Sequence, residues 1–292
     1  MRNNAFSVIE DFTNVPPRMK GAAVAIGNFD GMHRGHQNLF AQLIHHARTH
    51  GVPAVALTFE PHPRALLQHH KPLLRLGTIA DKIGIMRAIG LDGIAVLRFD
   101  AALAAITPAM FVSHILVQAL KASFIMVGDN FHFGKDRSGD LTFLEHAGKT
   151  HGFGVRAVPL LIEDGQPVSS SRIRADLLAG NIRKARDLLG YHWFTRAHCA
   201  LEQDGCLRVI NAKMLPLRAG GYYVRGACGQ WAFEGQLNHC PDSSMLRPDW
   251  IDAGAVTFAQ NVSVAVVERL DSSSTVQSAY SLSPIDLQLG IL

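Results

Sequence analysis

Short apolar runs and stretches of helical periodicity alternate along the first 160 residues. Val24–Ile26, Ala54–Phe59, Gly93–Arg98, Phe124–Val127 and Val155–Val158 are compact and rich in β-branched residues, as buried strands are. Between the first two, apolar Leu39, Phe40, Leu43, Ile44 and Ala47 repeat at helical spacing. That spacing predicts a helix from near Met32–His33 to about His50, with Gly51 placed to end it. Further helices are predicted over Thr78–Ile89, over Thr107–Lys121 with Thr107 as cap and Pro108 at the first position, and over Leu141–His151. Residues 1–20 read as a lead-in halted by Pro16-Pro17. Strands alternating with helices predict an α/β fold, a parallel sheet with helices on both faces. Ligands then bind beyond the carboxyl ends of the strands. The loops there are Gly27–Gly31, Glu60–Pro63, Gly128–Gly134 and Gln166–Arg174.

The pattern changes after Gly190. Val209–Ile210, Tyr222–Arg225, Trp231–Phe233, Val256–Phe258 and Val262–Val267 are short apolar runs separated by turns, without long helical periods. The expected division is an α/β domain over residues 1–189 and a small all-β, barrel-like domain over residues 190–292. Apolar residues make up 48% and charged residues 18% of the 292, enough apolar surface for a proper core. Charge is uneven, +6 over residues 1–189 and −2 over the rest. The basic part suits small anionic ligands; no dense basic run or RNA-binding motif points to nucleic acid. Ala101–Leu120 is uncharged, but Thr107-Pro108, Ser113, His114 and Gln118 make it a buried helix rather than a membrane span. MRNNAFSVIEDF lacks the pattern of a signal peptide, so a cytoplasmic protein with Cys199, Cys206, Cys228 and Cys240 as thiols is expected.

Candidate chemistry concentrates in Gly27-Asn28-Phe29-Asp30-Gly31-Met32-His33-Arg34-Gly35-His36. A strand, a glycine-rich turn and a helix start present free backbone N–H groups and the positive end of a helix dipole, an arrangement suited to phosphate. His33 and His36, three apart, share a face, and Gly35 has no Cβ to obstruct a phosphate. Two imidazole donors there can stabilise a transferring phosphoryl or nucleotidyl group. A surface helix that happens to carry histidines is the plainer alternative in a chain with 15 of them. The pairs His45-His46 and His69-His70 do not read as zinc sites, since neighbours on a helix do not face each other.

These residues resemble the signature of bacterial FAD synthetases, the adenylyltransferase module of bifunctional riboflavin kinase/FAD synthetases. Thr58-Phe59-Glu60-Pro61-His62-Pro63, Gly128-Asp129-Asn130-Phe131-His132-Phe133-Gly134 and Ser169-Ser170-Ser171-Arg172-Ile173-Arg174 resemble three further motifs of that family, in order, over roughly residues 20–190. The resemblance implies a Rossmann-like nucleotidyltransferase that makes FAD and pyrophosphate from FMN and ATP with Mg2+. It implies catalytic roles for His33, His36, Arg172 and Arg174. It places Gly27, Asn28, Phe29, Asp30, Gly31, Gly35, Ser169, Ser170 and Ser171 at ATP, and Asn130, Phe133, His62 and Pro63 at the flavin. No protein ligand for the metal is identified. The kinase barrel of the family carries a Pro-Thr-Ala-Asn motif; this sequence has none, and Val209-Ile210-Asn211-Ala212 stands roughly in its place. The expectation is a transferase without riboflavin kinase activity. Three alternatives stay open: a different phosphorylated acceptor, a non-catalytic flavin- or nucleotide-binding regulator, and a residual bifunctional enzyme.

Overall fold

The computed structural model describes residues 5–67, 73–202, 204–210, 216–228, 231–240, 242–249, 260–270 and 286. The chain forms two compact units. The first comprises Met1–Phe29, Gly35–Leu73 and Met86–Pro167; the second comprises Asp30–Arg34, Leu74–Ile85 and Val168–Leu292.

The first unit is built on a six-stranded parallel sheet of β1 (Ser7–Ile9), β2 (Ala23–Ile26), β3 (Ala54–Glu60), β4 (Gly93–Arg98), β5 (Phe124–Gly128) and β6 (Gly154–Val158), in the order β1-β4-β3-β2-β5-β6. The central strands are buried throughout, which is why they read as apolar runs rather than alternating ones. Helices α1 (Arg34–His50), α2 (Pro63–Leu67), α4 (Ala101–Ala105), α5 (Pro108–Met110) and α6 (Leu141–His151) follow strands in sequence order, as does α3 (Ile79–Ala88), most of which belongs to the second unit, and Ile162–Glu163 and Gln166–Pro167 form a short hairpin, β7 and β8. Thr107 caps α5, its hydroxyl accepting the Met110 N–H at 3.2 Å, and Pro108 begins it. The helix continues over Phe111–Ala119 with π-type spacing. α6 has the predicted bounds. Two expectations change. The lead-in contains β1, which extends the sheet beside β4, with the Ser7 N–H donating to Asp92 O at 3.0 Å. And α1 begins at Arg34, so His33 precedes the helix instead of lying in its first turn.

In the second unit, α7 (Ser170–Ala179) and α8 (Ile182–Leu189) end at Gly180 and Gly190 and lead into a closed antiparallel barrel. Its strands are β9 (Phe194–Leu201), β10 (Leu207–Ile210), β11 (Gly220–Cys228), β12 (Trp231–His239), β13 (Met245–Pro248) and β14 (Gln260–Leu270), ordered β10-β13-β12-β11-β14-β9. The expected barrel is present. Three of the sequence readings, the pair His69-His70, the run Val256–Phe258 and Asn211-Ala212 at the missing motif, lie outside the described residues. Cys199, Cys206 and Cys240 carry thiols rather than disulfides. Among the described residues no helix is long and apolar enough to cross a membrane.

Candidate active site

Strand order in the first unit reverses at β2: β3 and β4 lie to one side, β5 and β6 to the other. The carboxyl ends of β2 and β5 flank this switch point, where open α/β sheets bind ligands. Gly27-Asn28-Phe29 leaves β2 there, and Gly128–Gly134 leaves β5. The Gly27 N–H donates to Leu57 O at 3.1 Å, and the Thr58 hydroxyl donates to Asn28 O at 3.2 Å, so the second sequence motif holds the first. A Cβ on Gly27 would stand 2.8 Å from the Phe29 ring, so the turn admits no side chain there. Phe29 itself has a positive φ of 49°, a strained value for an aromatic residue. Its buried ring packs on Phe40 at 4.6 Å and meets His36 edge to face at 5.3 Å. Phe29 thus orients the half-buried imidazole of His36, near the start of α1; Asn28 beside it is exposed, and Gly35 is half-buried.

The remaining first-unit candidates differ in access. Asn130 is exposed. Phe133 is buried in an aromatic cluster with Phe111 at 5.4 Å, Phe131 at 5.5 Å and Phe143 at 5.9 Å. Its backbone N–H and carbonyl are both exchanged with Gly139 at 3.0 Å, which makes the loop after β5 a firm ledge. His62 is buried, its Nδ1 accepting the Arg64 N–H at 3.1 Å, and Pro63 opens α2 half-buried.

In the second unit the loop Asp30-Gly31-Met32-His33 is held by residues far along the chain. Asp30, 1% exposed, is paired with Arg174, 9% exposed, across 144 positions. The Arg174 Nε donates to Leu74 O at 2.6 Å, and the Leu76 N–H donates to Asp30 Oδ1 at 3.2 Å. The Ser170 hydroxyl donates to Asp30 O at 2.8 Å. Gly31 has φ +74°, and a Cβ there would lie 2.5 Å from Leu76 Cδ1, so no other residue fits. Ser169 caps α7, accepting the Arg172 N–H at 3.3 Å; Ser171 is exposed and Arg172 half-buried on that first turn. His33 is 6% exposed. Burial pulls its pKa down to about 4, although the Asp30 carboxylate opposes the shift. At neutral pH His33 is therefore an uncharged imidazole that can donate one N–H, not a cation.

Sequence reasoning missed Leu76, Tyr191 and Trp193. The Tyr191 hydroxyl donates to Gly31 O at 2.7 Å, and the Trp193 indole N–H donates to Leu76 O at 2.9 Å. No local pattern marks either residue; their partners lie 160 and 117 positions away.

A family model described as FAD synthetase matches residues 15–172. The chain is 39% identical over 183 residues to the bifunctional riboflavin kinase/FMN adenylyltransferase of Pseudomonas fluorescens, covering 63% of this chain and 58% of that protein. It is 37% identical over 209 residues to the protein of the same name from Escherichia coli strain K12, covering 71% and 66%. It therefore spans somewhat less than two thirds of the length of these relatives. A solved structure from Streptococcus pneumoniae, described as a macrolide-efflux protein, superposes with a TM-score of 0.77 over 94% of each chain at 21% identity, which bears on the fold alone. With the family model spanning more than half of the sequence, the chain belongs to the FAD synthetase family.

Proposed function

We propose that this protein is an FMN adenylyltransferase that joins ATP and FMN into FAD and pyrophosphate. The observation that carries this reading is the family signature Gly27–His36, which runs from the switch point of the sheet into the start of α1. A phosphate monoester has a second pKa of about 6, so FMN is mostly dianionic at neutral pH and is its own nucleophile. Its phosphate oxygen attacks the α-phosphorus of ATP as the bond to the leaving pyrophosphate breaks. No protein base is needed; the task is in-line alignment and stabilisation of growing negative charge. His36 and neutral His33 donate hydrogen bonds to the phosphates, and the N-terminal turn of α1 adds its N–H groups. Gly27–Gly31 and Gly35 give close backbone approach, with Asn28 the exposed side chain of that turn. Arg172 and the first turn of α7, with Ser169–Ser171, supply further donors to phosphate. Asn130 meets the flavin, with His62 and Pro63 nearby in the reading; Phe133 supports that loop from within the core. Arg174 works through Asp30, which it holds in place.

Magnesium, when bound, would screen the triphosphate. Among the described residues no three His, Cys, Asp or Glu side chains gather as a cage, and Asp30 is committed to Arg174, so the residues present fit an ion held chiefly by substrate phosphates. Residues 1–189 carry the transfer chemistry in this reading. The barrel of β9–β14 is without riboflavin kinase activity in this reading, since the sequence has no Pro-Thr-Ala-Asn. The test is separation of products after parallel incubations of riboflavin and of FMN with ATP and magnesium. FAD from FMN and no FMN from riboflavin are expected; no FAD from FMN overturns the assignment. His33→Ala with His36→Ala should lower FAD formation roughly 10²-fold or more, and a near-normal double variant removes the role given to the histidines.

A further inference from the structure

A barrel that lacks the family's phosphate motif still has three consecutive buried residues at its entrance, each hydrogen-bonded. Tyr191, His192 and Trp193 lie between Gly190, which ends α8, and Phe194, which opens β9. The backbone of Trp193 is already part of the barrel, its carbonyl accepting the Val266 N–H of β14 at 2.9 Å. His192 is fixed by Asp286, which accepts its N–H and faces its Nδ1, both at 3.1 Å. The two aromatic side chains on either side reach away from the ladder to the histidine loop: Tyr191 to Gly31 O, Trp193 to Leu76 O. Leu76 in turn donates its N–H to Asp30 and packs where a Gly31 side chain would be. Gly31 lies two residues before His33, so Tyr191 holds the turn that carries the imidazole directly, while Trp193 holds Leu76, which is bonded to that turn through Asp30.

We propose that Tyr191 is a positioning residue of the transfer reaction: carried on the short segment that leads from α8 into β9, it holds the Gly31 carbonyl and thereby fixes the loop that presents His33 to the phosphates. This rests on the adenylyl-transfer reading of the same loop. Burial, reinforced by the carboxylates of Asp30, Asp81 and Asp286, pushes the Tyr191 phenol pKa far up, so the hydroxyl stays a donor at every working pH. The barrel's contribution in this chain is mechanical: it is the fixed mount of a catalytic loop. A loop free to shift by about 1 Å loses much of its advantage, since misplacement on that scale can cost up to about 10²-fold in rate.

The test uses the full chain with Tyr191→Phe, which deletes one hydroxyl and preserves the packing ring. Hydrogen exchange over residues 30–34 should quicken about tenfold while strands β11, β12 and β14 keep their protection. The kcat for FAD formation, normalised to the folded fraction measured by circular dichroism, should fall about tenfold with the KM for ATP changed less than about threefold, the pattern of an interaction made in the transition state. Tyr223→Phe, which removes a barrel hydroxyl facing Glu234, is the control and should leave both readouts unchanged. If Tyr191→Phe does not fold, Trp193→Phe, which removes the donor to Leu76 O, carries the same two readouts. Wild-type kcat together with wild-type exchange at 30–34 overturns the proposal, as does quickened exchange spread evenly over the barrel. A wild-type protein that makes no FAD overturns the transfer reading instead, and the exchange measurement still decides whether Tyr191 holds the loop.

Discussion

Replacing Asp30 by alanine removes a carboxylate that is 1% exposed and carries an ion pair with Arg174 and the N–H of Leu76. Breaking a buried pair from one side costs about 3–5 kcal/mol because the remaining charge stays buried without its counter-charge. Arg174 keeps its bond to Leu74 O, which offsets part of that loss, while the Leu76 N–H loses its acceptor. We expect a net destabilisation of about 4 kcal/mol, or about 10 °C in Tm for a domain of this size. Asp30→Asn retains an acceptor for Leu76 and should cost about half as much. Replacing both partners, Asp30→Leu with Arg174→Met, leaves no buried charge and should recover most of the loss. Urea unfolding of the wild type, Asp30→Leu, Arg174→Met and the double variant closes a double-mutant cycle. Wild-type stability in Asp30→Ala, or single effects that simply add in the double variant, would refute the reading of this pair as a buried, coupled strut.

Two further outcomes follow from the same loop. His33 has a folded pKa of about 4 against 6.5 unfolded, so between those values the unfolded chain binds more protons. Stability is therefore highest above about pH 6.5 and is lost as the pH falls toward 4, by up to about 3 kcal/mol from this one group; urea midpoints at pH 7 and pH 4.5 should differ less in His33→Gln than in the wild type, and equal slopes would contradict the assignment. Gly31→Ala places a Cβ against Leu76 at a positive φ and should destabilise by about 2 kcal/mol or more; a differential scan showing an unchanged Tm would mean that the turn adapts.

The parallel sheet was legible because its strands are buried on both faces and leave continuous apolar runs, and the helices because caps and glycines mark their ends: Thr107 and Gly51 both act as read. Ser7–Ile9 was not, since three residues at a sheet edge have no period to detect and become a strand only through pairing with β4. The motif residues stand out in the sequence; their environment does not. Asp30 reads as a turn residue facing ligand, yet the fold buries it on Arg174. Phe133 sits in a motif loop, yet four aromatic rings close around one another there. His33 reads as a surface donor, and only the packing of distant segments around it makes it neutral. Pairings at separations of 144 and 160 positions leave no trace in local periodicity.

The placement of Tyr191 and Trp193 also bears on how such a gene can be shortened. A cut after Leu189 looks natural, since every sequence motif of the transfer reaction would be kept. It would nevertheless take away the donors to Gly31 and Leu76 along with the barrel. The two halves are thus not interchangeable parts: the side chains that steady the histidine loop would leave with the barrel, although no motif in the sequence marks them.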